Sequence, residues 1–253
     1  MKIDWTLLKA ELAVWRRSGL KLPIWWRDDD AAEDTRALRK LQTMSAALKV
    51  PVHLAVIPER AKPSLLKFLT KHDNLIPVVH GWQHKNHNSK EQKKSEFGID
   101  RDGVAIDLET AMTTCRDMFG DRLVPMFVPP WNNFADEHLP LLSRLGYRAL
   151  STYTPRTARI ATPGVVRINT HIDPIFWRGD GGLVPPETLV VQITGLLADR
   201  RIGSADAEEP LGVLTHHLAQ DAAVWSFTRA CIEVLLAGGA EPVNLSTWDG
   251  PLP

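Results

Sequence analysis

Cysteine is scarce in this 253-residue chain: only Cys115 and Cys231 occur, far apart, so neither a disulfide framework nor a CxxC metal site can be read from them. Both are expected to be small buried hydrophobes. No run of about 18 or more apolar residues is present, so no membrane span is expected. The start, Met1-Lys2-Ile3-Asp4-Trp5, lacks the basic segment and unbroken apolar stretch of a secretory signal, and a cytoplasmic protein is the simplest expectation. Charge of one sign is missing too. Thirty basic residues balance thirty acidic ones, which gives no reason to expect nucleic acid or an anionic membrane as partner and favours one that is neutral and small or sugar-like. No Gly/Ser-rich or Pro-rich linker, internal repeat or low-complexity tract divides the chain, and nothing in it sets an oligomeric state. With 44% hydrophobic residues, one domain over 1–253 is expected.

What is present is alternation. Apolar, strand-like runs fall at 22–26, 50–57, 75–79, 124–128, 147–152, 165–169, 211–215 and 242–246, separated by amphipathic stretches at 31–48, 63–72, 107–119, 136–145, 185–199 and 221–237. That order predicts an α/β fold in which helices wrap a parallel sheet, and seven or eight such units would close a (β/α) barrel. Trp5, Leu8, Leu12 and Trp15 recur at helical spacing and predict a further helix over one end of the core. Pro63 opens one helix, and Gly238-Gly239 closes another. The polar segment 89–103 is a candidate loop over a site. Residues 203–210, with three acidic side chains, are expected to be exposed.

Barrel enzymes carry their chemistry at the C-terminal ends of strands. Four strand ends here are unusually polar: Arg27-Asp28-Asp29-Asp30, His80-Gly81-Trp82-Gln83-His84, Pro129-Pro130-Trp131-Asn132-Asn133 and His216-His217. Adjacent aspartates repel one another, so a cation or a nearby arginine is needed to stabilise them, although Asp30 and Asp34 also suit the acidic first turn of a helix. His80 and His84, spaced i, i+4, would share one face of a single helical turn. Two histidines and a carboxylate leave a fourth metal position open for water, and that donor set suits Zn²⁺ while also accepting Co²⁺, Ni²⁺, Mn²⁺ or Fe²⁺. His87 is more simply a solvent-facing residue, His217 a structural neighbour of His216, and Trp177 either core or a sugar-stacking face.

"WRDDDA", "HGWQH", "PPWNN" and "LTHH" resemble, in order and approximate spacing, the motif series of the polysaccharide deacetylases (NodB-homology proteins, carbohydrate esterase family 4). The resemblance runs from Trp26 to His217. It implies a distorted (β/α) barrel that removes an N- or O-acetyl group from a sugar with the help of a divalent metal. Carried over by motif, Asp28 would be the general base and Asp29 a metal ligand alongside His80 and His84. The Trp131 backbone N–H would help hold the oxyanion, His216 would be the general acid, and Asp173 would orient that histidine. Three departures stand out. Asp30 replaces a glycine and is placed to shift the ligand set by one residue; Val128 replaces an arginine that tunes the base, a role Arg27 could take; and Asn132-Asn133 replaces a glycine. The expected activity is deacetylation of an N-acetylated sugar or glycoconjugate precursor. A small-molecule amide hydrolase on the same scaffold and an inactive carbohydrate-binding protein are the alternatives.

Overall fold

A computed structural model describes residues 2–247. The chain runs α1 (Thr6–Arg17), β1 (Leu22–Ala31), α2 (Arg36–Leu48), β2 (Val52–Val56), α3 (Pro63–Leu69), β3 (Leu75–His80), α4 (Val104–Phe119), β4 (Met126–Val128), α5 (Leu139–Arg144), β5 (Ala149–Leu150), β6 (Ile160–Thr162), β7 (Val165–Arg167), α6 (Pro186–Arg201), β8 (Leu211–Thr215), α7 (Ala222–Ala237) and β9 (Ala240–Pro242). The strands form one nine-stranded sheet in the order β6-β7-β5-β4-β3-β2-β1-β8, with β9 on the early part of β1. Every pairing is parallel except β6 with β7. The two ends of the β7-to-β8 path meet at a single parallel bridge, Ile172 with Val213, where Ile172 N–H donates to Gly212 and Leu214 N–H to Ile172. A ring joined at one place by so few bonds is a distorted barrel.

Strands buried on both faces explain why the apolar runs were continuous rather than alternating. β2 and β3 are buried at every position. α1 packs Leu8, Leu12 and Trp15 inward as the periodicity predicts, and Trp15 Nε1 donates to Leu197 O at 3.2 Å, tying it to α6. Pro63 opens α3, and α7 ends at Gly238 with Gly239 at φ +100°, a left-handed position that suits glycine. Both cysteines are buried, and burial pushes each thiol up to about 12. No helix among the described residues is long and apolar enough to cross a membrane.

Several boundaries differ from the sequence expectation. The helix expected at 31–48 starts at Arg36, because Ala31 still belongs to β1 and Thr35 caps the helix by accepting from Leu38 N–H at 3.0 Å. The strand expected at 242–246 is β9, two residues earlier, followed by a 3-10 turn at Leu245–Thr247. The antiparallel β6 was not foreseen. In the acidic segment 203–210, Glu209 is buried instead of exposed: it faces Arg200 and His171 and accepts from the Arg156 and Asn169 N–H groups. Burial draws the His171 imidazole below its ordinary value even beside this carboxylate.

His53, on β2 and fully buried, predicts an acid sensitivity of the fold. Its Nδ1 lies 3.2 Å from Trp26 O and its Nε2 accepts from Leu245 N–H at 3.1 Å, which fixes the neutral tautomer. Burial lowers its pKa from 6.5 to about 4. An unfolded chain binds a proton near pH 6.5 that the folded chain refuses, so stability contributed by this group is complete above 6.5 and is lost as pH falls toward 4. The loss is about 3 kcal/mol. Urea unfolding of wild type and His53→Gln across that window checks it: the wild-type curve should fall more steeply than the variant's.

Candidate active site

The three adjacent aspartates do not alternate as a regular strand would have them. β1 pairs Asp28 with Leu54 and Ala31 with Val56, so its register with β2 slips by one residue between Asp28 and Ala31. Asp30 takes φ 73°, a conformation in which a short polar residue is tolerated at low cost. The extra residue turns Asp29 and Asp30 toward one cavity and leaves Asp28 behind. Asp28 is fully buried and accepts from Thr215 Oγ1, His217 N–H and the His217 ring. It joins β1 to the end of β8.

Asp30 meets the two histidines. Its Oδ1 lies 3.2 Å from His80 Nε2 and 3.3 Å from His84 Nε2, and ligand atoms of all three residues lie within 4.8 Å of one another. His80 Nδ1 is 3.0 Å from Val128 O. A carbonyl only accepts, so Nδ1 carries the hydrogen and the neutral ring presents its Nε2 lone pair to the cluster. Lone pairs and a carboxylate converging on one point repel unless a cation lies among them. The titration directions of His80 and Asp30 mark a point that draws positive charge, whether a proton or a metal ion. Burial depresses the His80 imidazole, but Asp30 and Asp29 outweigh it and hold it above 6.5. Asp30, despite burial, is held well below the carboxylate range by His80, whereas burial and the charge of His80 draw His84 down. Donor set and electrostatics therefore fit a divalent cation.

The two histidines do not share a helical turn. Gly81 (φ 57°) and His84 (φ 56°) are both left-handed, and the N–H groups of Trp82, Gln83 and His84 all donate to the Glu96 carboxylate, at 3.2, 2.7 and 3.2 Å. Successive amides wrapped on one anion form a nest, and this one fixes the His84 imidazole 5.1 Å from that of His80. Gly81 is required here, since a Cβ would sit 2.2 Å from Glu96 Oε2 and 2.5 Å from the Pro130 ring. Glu96 is buried in the expected loop, and burial raises its carboxyl above the usual range. No periodicity marks it; a lone acid twelve residues beyond a histidine motif is the only trace in the sequence.

Asp29 is not in the ligand group. Both its oxygens are taken by Arg27, Nε at 2.9 Å and Nη2 at 3.0 Å, and the same guanidinium donates to Ser151 Oγ (2.7 Å) and Asn132 Oδ1 (2.7 Å). The convergent group thus contains Asp30 where the expected ligand set has Asp29, and Asp28, the expected base, does not line the cavity; the bulge accounts for both differences. Arg27 is fully buried and reaches this carboxylate from β1 itself.

Other parts of the wall come from the loops after β4, β7 and β8. Trp131 (φ 56°) follows β4 in a tight turn with its ring 4.4 Å from that of His84. His216 follows β8, its Nε2 4.0 Å from Asp29 Oδ2. Trp177 sets its ring edge-on to His216 at 4.8 Å and donates from Nε1 to Asp173 Oδ2 at 2.8 Å. Asp173 faces the same cavity, where burial raises its carboxyl above the ordinary value. His87 is not part of the ligand group; its N–H donates to Ser95 O. Asp29, Asp30, His80, His84, Trp131 and His216 thus share one cavity of about 920 Å³.

No family model matches the sequence, and no curated protein does. Solved structures match over nearly the whole chain. A Mycobacterium smegmatis protein assigned as a polysaccharide deacetylase aligns with a TM-score of 0.60 at 16% identity, covering 89% of this chain and 94% of that one. A family 4 acetyl xylan esterase from Clostridium thermocellum, solved with a cobalt ion, aligns at 0.52 and 13% identity, covering 88% of both chains. The family 4 pseudoenzyme BA3943 from Bacillus anthracis aligns at 0.53 and 14%, covering 88% of this chain and 63% of that one. The chain therefore has the fold of the polysaccharide deacetylases and family 4 carbohydrate esterases, at low sequence identity. The expected distorted barrel is the observed one.

Proposed function

We propose that the protein is a metal-dependent deacetylase acting on an N-acetylated sugar or a polysaccharide or glycoconjugate precursor. One observation carries this reading: ligand atoms of Asp30, His80 and His84 converge beside a carboxylate, Asp29, that stands outside their group and faces His216. The reading assigns Asp30, His80 and His84 to the cation, Zn²⁺ by preference, with Co²⁺, Ni²⁺, Mn²⁺ or Fe²⁺ also accommodated. Bound there, a divalent ion would acidify water and polarise the acetyl carbonyl.

The chain supplies the remaining steps. Asp29, oriented by Arg27 but with lone pairs to spare on each oxygen, takes a proton from the attacking water. The water oxygen bonds to the acetyl carbon, and the Trp131 N–H donates to the oxygen on which charge gathers. His216 gives a proton to the sugar nitrogen as the C–N bond breaks, releasing acetate and the free amine. Asp173 acts through Trp177, which packs on the His216 ring. Phe176 and Trp177, 44% and 54% exposed, offer apolar faces for a sugar ring. The reading takes 1–253 as one domain working in the cytoplasm.

A second reading, an inactive carbohydrate-binding protein, draws on the pseudoenzyme likeness and on Val128 in the arginine position. Arg27 on Asp29 weighs against it, because the guanidinium that Val128 lacks is present. Metal content by plasma mass spectrometry for wild type and His80→Ala, followed by acetate release from N-acetylated sugars with added Zn²⁺ or Co²⁺, separates the readings. Near-stoichiometric metal lost in the variant, with acetate from wild type only, is expected. Metal without acetate would favour hydrolysis of another amide, and no metal under any loading would overturn the enzyme reading.

Glu96 gives a prediction of its own. Glu96→Ala leaves three amides of the Trp82–His84 turn without their acceptor and frees His84 to leave its left-handed conformation. Metal affinity should fall about 10- to 100-fold. Glu96→Gln keeps one carbonyl acceptor and should recover part of it; metal titration of the two variants checks the order.

A further inference from the structure

The cavity changes sign from floor to rim. Its acids, Asp29, Asp30 and Asp173, are more sheltered, Asp29 being 2% exposed and the other two partly buried. Its other charged lining residues are Lys93 and Lys94 on one loop and Arg178 on another, all exposed. In a chain whose formal net charge is zero, three cations around one mouth are a local departure. No ion pair engages any of them among the described residues.

Their backbones are fastened. Lys93 O accepts from Asn88 Nδ2 at 2.6 Å and Lys94 O from Asn133 Nδ2 at 3.3 Å. Ser95 N–H donates to Asn86 Oδ1 and Ser95 Oγ to Asn133 O, and the next residue is the Glu96 that holds the histidine turn. Arg178 follows Trp177, which is tied to Asp173. The cations are therefore carried on segments bonded into the site. They stand beside the apolar faces of Phe176 and Trp177, where a sugar beyond the reacting acetyl group would rest.

We propose that the substrate carries an anionic group, a phosphate or a carboxylate, which Lys93, Lys94 and Arg178 receive at the mouth of the cavity. The inference rests on the deacetylase reading for what lies at the floor, but its recognition step is testable by binding alone. Arg178 offers a planar fork to two oxygens of such a group and the lysines act as point charges. Exposed charges are screened by salt, so the preference should weaken as ionic strength rises.

The test is calorimetric binding of N-acetylglucosamine, N-acetylglucosamine 1-phosphate and N-acetylmuramic acid to the metal-loaded protein. It is run at about 0.05 M and 0.5 M salt, near the ends of the useful screening range, with acetate release measured in parallel. Wild type should bind at least one anionic probe about 10-fold more tightly than the neutral sugar, the order expected of several screened charges together. Which anionic probe wins distinguishes phosphate from carboxylate. The advantage should shrink at high salt and fall to within about 2-fold in K93Q/K94Q/R178Q. Equal binding of all three sugars, or of none, overturns the proposal. So does an advantage that survives in the triple variant, since the anion would then be sitting on the metal. Preference for an anionic probe without acetate release from any substrate would leave this proposal standing and remove the deacetylase reading instead.

Discussion

Asp30→Ala should strip the protein of metal and of acetate release together, while Asp29→Asn should retain near-stoichiometric metal and lose turnover about 10²- to 10⁴-fold, the range for a missing general base. The contrast follows from the bulge. Asp30 Oδ1 stands 3.2 and 3.3 Å from the two imidazole nitrogens, and without it only two neutral donors remain, one short of the three protein ligands that hold a catalytic zinc. Asp29 points at the same space, but its oxygens belong to Arg27. Asn in its place keeps the shape and discards the basicity. Metal content and single-turnover acetate release on the two variants decide the register of the motif. If Asp29→Asn loses the metal and Asp30→Ala keeps it, the Asp28-Asp29 assignment is restored. Asp28→Asn supplies the third arm. Because Asp28 accepts from Thr215 and His217 within the wall, its replacement should lower the melting temperature before it touches metal content.

The offset of one residue between the expected ligand set and the convergent atoms has a physical origin. An apolar run ends at Trp26, so β1 was expected to stop there, yet it continues to Ala31 with Arg27, Asp28 and Asp29 buried inside it. Burial of charge within a strand is what a reactive site requires and what a hydrophobicity pattern cannot register. A bulge is likewise silent in composition, although a third aspartate where the resembled motif has glycine pointed to it. Legible features were those set by periodicity or strand ends: the parallel sheet, α1, α3, α7, and the meeting of His80, Trp131 and His216 from three separate strand ends. Glu96 was not legible, because its role is to accept from the backbone, and backbone donors have no letter in a sequence. The His80–His84 spacing was informative for a reason other than the expected one. A left-handed turn wrapped on Glu96, not a helical turn, sets the two rings side by side.

Arg27→Ala should cost both fold and function, and the two losses are measured separately. The guanidinium is fully buried and joins Asp29, Ser151, Thr152 and Asn132, that is, β1 to the loops after β4 and β5. Removing it leaves the Asp29 carboxylate buried without its partner, a change that costs about 3–5 kcal/mol in comparable buried pairs. Chemical unfolding measures that part. For the catalytic part, loss of the two-pronged donor frees the Asp29 carboxylate to turn away from the attacking water, so turnover of the folded, metal-loaded variant should fall. Arg27→Lys retains charge but not the two-pronged geometry, and should recover stability more fully than rate, because orientation of the base needs both nitrogens. A destabilised Arg27→Ala whose folded, metal-loaded fraction turns over at the wild-type rate would make Arg27 a brace between strand ends and nothing more.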